Sequence, residues 1–103
     1  MNNSINGNWY ISDSKIHGVG IFASKTFPPN SFIDIAIDNK DVITKPFGST
    51  INHSWNPTSR LIYSRGTRTY DIYSLKQINK GEEITVDYTF TPDFISKPKA
   101  HWK

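Results

Sequence analysis

Cysteine is absent from the 103 residues. That excludes a disulfide framework, a zinc–thiolate site, an iron–sulfur cluster and a thiol nucleophile. A domain of this size buries only about 60–70% of its unfolded surface, so without a covalent staple its stability rests on packing. No apolar run approaches the roughly 20 residues of a membrane-spanning helix. The start, Met1 to Asn8, is polar and uncharged, with neither the basic nor the apolar region of a secretory signal. These absences lead to the expectation of an intracellular chain that does not engage a membrane. Strong helix formers are scarce as well, with two Leu and three Ala, and no window of eleven residues carries an i, i+3, i+4, i+7 apolar stripe. A helical bundle is thereby excluded.

What is present is β-branched: fourteen Ile, nine Thr and three Val favour strands over helices. The length fits a single domain, residues 1–103, with a polar arm at 1–8 and an irregular tail at 89–103. Trp9-Tyr10-Ile11 and Val19 to Ala23 read as an opening hairpin around a glycine turn. Pro28-Pro29 breaks any regular element. Ile33, Ile35 and Ile37 fall on one face of an extended Phe32 to Ile37, the period-2 pattern of a half-buried strand. A short strand, Asp41 to Thr44, follows the Asp38-Asn39-Lys40 turn. Leu61 to Tyr63 and Tyr70 to Leu75 pair around Arg65-Gly66-Thr67, and Glu83 to Tyr88 leaves the Asn79-Lys80-Gly81 turn as a last strand. About seven short strands, with no helix long enough for a parallel crossover, predict a non-parallel β fold.

Twelve Lys and Arg against nine Asp and Glu give a net charge of +3, a mild bias toward anionic partners. Arg60, Arg65 and Arg68, with fourteen aromatics, raise a small β nucleic-acid binder, but no strand alternates basic and aromatic residues, so nucleic acid is the weaker partner. Gly18-Val19-Gly20-Ile21-Phe22-Ala23 fits a dinucleotide pattern, yet that pattern must open a helix and here it runs into prolines. The alternative is a turn that uses glycine for positive φ. Asn52-His53-Ser54 fits a glycosylation sequon with no sign of secretion. His53, Ser54 and Asp87 have the types of a hydrolase triad but no nucleophile elbow. His17, His53 and His101 lack the spacing of metal ligands, so no metal is expected.

Taken together, three segments are more specific. Gly18 to Ala23, Ile51-Asn52-His53-Ser54-Trp55-Asn56-Pro57, and Gly81-Glu82-Glu83-Ile84-Thr85-Val86-Asp87-Tyr88 resemble, in order, the signature blocks of the SET domain family, with an Ile78-x-x-Gly81 lead-in. The resemblance spans about Ile11 to Tyr88, and the size resembles that of the minimal stand-alone, viral-type members. It implies a mainly β, β-clip-like fold of small curved sheets, with a C-terminal pseudoknot joining the second and third blocks. It also implies a protein lysine methyltransferase that uses S-adenosylmethionine. On that resemblance Tyr88 is catalytic; His17, Gly18, Val19, Gly20, Asn52 and His53 lie along the cofactor; Val86 and Phe90 line the substrate channel. The partner implied is a protein carrying a target lysine, such as a histone tail, which would place the chain in the nucleus.

The chain departs from the family pattern in two places. Only Asp38 to Ile51, with Pro46 and Gly48 inside, is available for the helical insert that usually walls the peptide groove, so only a very short helix fits. The cysteines that often close the cofactor pocket are missing, which leaves Phe90, Phe94 or Trp102 to do so. The thin core and the missing wall also raise a homodimer. Two competing functions stand beside the enzyme: a SET-fold binding module without catalysis, and the β nucleic-acid binder.

Overall fold

Residues 7–92 and 94–100 are described by a computed structural model. The opening hairpin forms as its sequence predicts. Strands β1 (Trp9–Asp13) and β2 (Val19–Ala23) pair antiparallel from Trp9↔Ala23 to Asp13↔Val19. The Ser14 N–H donates to Gly18 O at 2.8 Å, and Gly18, at φ +48°, takes a left-handed conformation that costs glycine little.

Strand β3 (Phe32–Asp38) turns through Asn39 and Lys40, both at positive φ, into β4 (Val42–Ile43). The expected alternation of Ile33, Ile35 and Ile37 is broken. Against strand β7 (Thr69–Ser74), β3 shifts register between Phe32 and Asp34 and again between Ile35 and Ile37. Each bulge sets two residues against one and reverses which face the next side chain meets. Ile33, Ala36 and Ile37 are therefore buried, whereas Ile35 is only half-buried. Strand β6 (Ser59–Ser64) pairs with β7 along its whole length around the Arg65 to Arg68 turn.

Two further elements complete the frame: β5 (Asn52–His53) and β8 (Glu83–Val86), which leaves a turn at Gly81 with φ +90°. The last strand is shorter than expected. It ends at Val86, and Tyr88–Phe90 form a single 3-10 turn, η1, capped by Asp87, whose side chain accepts the Thr89 N–H. The strands make two four-stranded sheets, β1-β2-β8-β5 and β4-β3-β7-β6. The core of Trp9, Ile21, Ile33, Ile72, Ile78 and Ile84 is almost wholly buried. Pairing is antiparallel except between β5 and β8, which run parallel as Asn52↔Thr85 and His53↔Val86.

This parallel contact inserts the last strand between β2 and the segment running from β5 into β6. Ser54 N donates to Val86 O at 3.0 Å, Thr58 N–H to Thr85 Oγ1 at 3.1 Å, and the buried Ser59 hydroxyl to Thr85 O at 2.7 Å. Insertion of the C-terminal strand between earlier segments joins the second and third blocks as the pseudoknot expectation requires.

The segment before β5 holds one helical turn, α1 (Phe47–Thr50). Phe47 is buried against Trp9, with ring centroids 5.2 Å apart. A Cβ on Gly48 would overlap the carbonyl oxygen of Ala36 and crowd Thr44 Oγ1. Because the first of these atoms is backbone, the clash has no flexible side chain to relieve it. Gly48→Ala should therefore cost roughly 1–3 kcal/mol, read as a lower urea midpoint at unchanged m value. Gly66→Ala, at a position with open space around the added Cβ, should leave the midpoint nearly unmoved.

Candidate functional site

Asn52 brings the three sequence blocks to one point. Its Nδ2 donates to His17 O and Val19 O, each at 3.1 Å, and to Glu83 Oε2 at 2.9 Å. The other oxygen of Glu83 accepts the Ser14 hydroxyl at 2.8 Å. One amide therefore holds the first hairpin turn, the parallel strand and the last strand together. Gly20 has a packing reason to be glycine here: a Cβ would overlap the Glu83 carboxylate and lie 3.0 Å from Asn52 Nδ2. These contacts of Glu83 and Ser14 are not visible in the sequence because the partners lie 31 and 69 positions away, and no local spacing encodes them.

Tyr88 is tethered at both ends to the second block. Its backbone N–H donates to His53 Nδ1 at 2.9 Å, and its hydroxyl donates to Ile51 O at 2.6 Å. Burial pushes the phenol above its usual pKa, so at neutral pH it is a neutral hydroxyl whose proton is committed to Ile51. Toward anything else it presents an acceptor oxygen.

His53 is buried, with its ring edge-on to Trp55 (4.5 Å between centroids) and to Tyr88 (5.3 Å). Burial lowers its pKa, against the pull of Asp87, whose Oδ1 lies 3.8 Å from Nδ1. Since Nδ1 accepts the Tyr88 N–H, the neutral ring carries its proton on Nε2, and the Asp87 contact is not an ion pair in that state.

Two apolar cavities share Leu61 and Val86 as walls. The smaller, about 160 Å³, is bordered by Tyr88, Ile51, Ile37, Gly48 and Ile95 as well. The larger, about 450 Å³, is bordered by Phe90, Leu75, Pro57, Arg60 and Asp87. Tyr88 and Val86 thus meet in one cavity, Val86 and Phe90 in the other. His17, Gly18, Val19, Gly20, Asn52 and His53 line neither cavity. The residues of the first block gather around Asn52 Nδ2, whereas His53, next along β5, accepts the Tyr88 N–H. Phe94 is half-exposed and borders neither cavity, and Trp102 lies outside the described residues. The three arginines do not share a stripe: Arg60 lies near the start of β6 beside the larger cavity, whereas Arg65 and Arg68 sit in the turn at that strand's far end.

Comparison with known proteins bears on the family and the fold. A family model described as the SET domain matches residues 34–89, which takes in the second and third blocks but begins after the first. Among solved structures, the chain is similar to a Plasmodium falciparum protein named a "putative histone methyltransferase", at 20% identity and a TM-score of 0.67, covering 88% of this chain and 100% of that one. None of the curated proteins matches the chain.

The cluster makes two predictions. Asn52→Asp removes the donor to three acceptors and sets a carboxylate against Glu83, so one of the two must hold a proton well above its usual pKa. We expect a loss of roughly 2–3 kcal/mol at pH 7, part of it regained at pH 4.5, measured by urea unfolding against the wild type. His53 has a lowered native pKa, so its contribution to stability is fully present above its unfolded pKa of about 6.5 and is lost as pH falls through the native value. Wild-type stability should therefore drop below pH 6.5 at up to about 1.4 kcal/mol per pH unit. In His53→Asn, which keeps an acceptor but cannot titrate, that part of the slope should vanish.

Proposed function

The chain belongs to the SET domain family, and on that premise we propose that it is a protein lysine methyltransferase, moving a methyl group from S-adenosylmethionine to a lysine ε-amine. The observation that carries this reading is the double tether of Tyr88. A neutral phenol, fixed at its backbone and at its hydroxyl, faces an apolar cavity and stands next to the cluster that joins all three blocks.

The residues present fit the cofactor's charge. The Asn52 cluster is rich in acceptors, with the Glu83 carboxylate and two backbone carbonyls, as suits a ligand carrying an ammonium and a sulfonium. Among the described residues nothing donates to Asn52 Oδ1, and a Cβ on Gly18 would meet only open space. His17, Gly18, Val19 and Gly20 would hold the cofactor through main chain, together with Asn52 and His53, and Phe94 or Trp102 would cover it. When bound, the cofactor supplies a methyl group already activated on sulfur, so the protein needs orientation more than acid or base strength.

What remains for the protein is the amine. A lysine of reference pKa about 10.4 costs roughly 4–5 kcal/mol to deprotonate at pH 7. Cavity walls such as Ile37, Ile43, Ile51, Leu61 and Val86 desolvate the ammonium and lower that cost. The Tyr88 oxygen accepts an N–H from the neutral amine and aims its lone pair. A phenol whose pKa is raised is a poor base and a good aligner, which agrees with this division of labour. Val86 is small and leaves space at the junction of the cavities, which favours products beyond the monomethyl.

A second reading, a SET-fold binding module, draws on α1: this single turn packs into the core instead of walling a groove. Transfer of labelled methyl from S-adenosylmethionine to histones and lysate proteins separates the two. We expect label on lysine with the wild type and a loss of at least about a hundredfold with Tyr88→Phe. No label from either protein, with cofactor binding shown by calorimetry, would establish the binding module. Equal label from both would remove Tyr88 from the chemistry.

A further inference from the structure

We propose that His53 is a positioning residue for Tyr88, holding the phenol in place by accepting the Tyr88 backbone N–H at Nδ1 and releasing it when Nδ1 gains a proton. The inference rests on the catalytic reading of Tyr88 and extends it to a residue that acts through Tyr88.

The β5–β8 ladder ends at His53↔Val86, closed by Ser54 N to Val86 O. Tyr88 begins two residues further on, so its N–H is beyond the reach of the ladder. The imidazole of His53 takes the place a strand carbonyl would have had. The 3-10 turn supplies little order of its own: its backbone bonds, Phe90 N to Asp87 O and Thr91 N to Tyr88 O, are both 3.2 Å long, and one such turn is marginal by itself. The Asp87 cap on the Thr89 N–H and the Thr91 hydroxyl on Tyr88 O are local to the turn, so its placement against the second block comes from the tethers to Ile51 and His53. The imidazole is itself fixed, edge-on to Trp55 and to Tyr88.

The same geometry contains a second state. Among the described residues, the titratable groups seen against the imidazole are Asp87, in the link between β8 and η1, and the Tyr88 phenol in η1. Val86 of β8 and Trp55 of the loop after β5 carry no charge. A proton on Nδ1 turns the acceptor into a donor, which repels the Tyr88 N–H and finds the Asp87 carboxylate 3.8 Å away. The ring then exchanges one partner for the other, and η1 loses its backbone tether. Activity should consequently depend on a neutral His53 in addition to the neutral substrate amine.

The test compares wild type, His53→Asn and His53→Leu, each checked for folding by circular dichroism and urea unfolding. Asparagine places Oδ1 near the position of Nδ1 and does not titrate; leucine fills the space without an acceptor. In amide nitrogen–proton spectra, the wild-type Tyr88 signal should move with pH, with a midpoint below 6.5, together with the His53 ring signals. It should be pH-independent over that range in His53→Asn.

In methyl transfer to histones, His53→Leu should lose about a hundredfold in kcat, and His53→Asn should recover at least tenfold of that loss. Both rates should fall with pH as the substrate amine is protonated, and below the His53 midpoint the wild-type rate should fall more steeply than that of His53→Asn. An asparagine variant as slow as the leucine variant, or pH–rate profiles of equal steepness in wild type and His53→Asn, would overturn the proposal. Should none of the proteins transfer methyl, the catalytic reading fails, and the Tyr88 amide still decides the coupling: titration with His53 upholds it and a pH-independent signal overturns it.

Discussion

Two residue pairs, Asn52 with Thr85 and His53 with Val86, hold this molecule in its working shape. They form the one parallel contact among the described strands, and they join segments more than thirty positions apart. So short a ladder is weak alone, and closing the intervening loop costs entropy. Side chains reinforce it. Thr58 both donates to Glu83 O at 3.0 Å and accepts the Thr85 N–H at 3.0 Å, while Ser59 donates to Thr85 O in full burial. Ile84, Thr85 and Val86 are all buried, so slippage by one residue would turn alternate side chains to the wrong face. The threonine and serine hydroxyls thus do at this strand what a longer ladder does in an ordinary sheet.

The polar groups behind Tyr88 follow from that pairing. Once β5 is locked beside β8, Asn52 reaches back to the first hairpin, and His53 reaches forward to the turn that carries Tyr88. Neighbouring residues on a strand point to opposite faces, and here the two faces have different work. One face gathers acceptors around Asn52; the other brings an imidazole, an indole and a phenol into contact. Burial then sets the protonation states, keeping the imidazole neutral and the phenol protonated. Both are neutral at pH 7, which suits a site that aligns an amine and would hinder one that had to abstract a proton.

The sequence makes some of this visible and hides the rest, for identifiable reasons. The β1–β2 and β6–β7 hairpins are legible because turn residues sit between β-branched runs and their pairing is local. The absence of a long insert helix is legible from Pro46, Gly48 and the few residues available. The bulges in β3 are not, since Phe32 to Asp38 looks like clean alternation and only its pairing with β7 shows the extra residues. The end of β8 at Val86 is hidden too, because Tyr88 is a good strand former and Asp87 caps a turn only through its bond from the Thr89 N–H. Residues in the three blocks could be singled out through resemblance, yet the contacts that place them could not. Nothing near Glu83 announces Asn52 or Ser14, and nothing near Tyr88 announces Ile51.

The shortness of α1 bears on how a substrate would be chosen. Phe47 is spent on Trp9, and Gly48 lies too close to Ala36 to carry a side chain. With only Ser49 exposed, the turn is too short to contact a peptide along its length. Its contribution to the site is inward, where Gly48 and Ser49 border the same cavity as Tyr88. Under the proposed function, discrimination then falls on the cavity and its rim, which read a lysine side chain and few of its neighbours. Differences in contact energy distinguish one peptide from another. A chain with so little groove would discriminate weakly between sequences and strongly between amines that do and do not fit beside the Tyr88 oxygen.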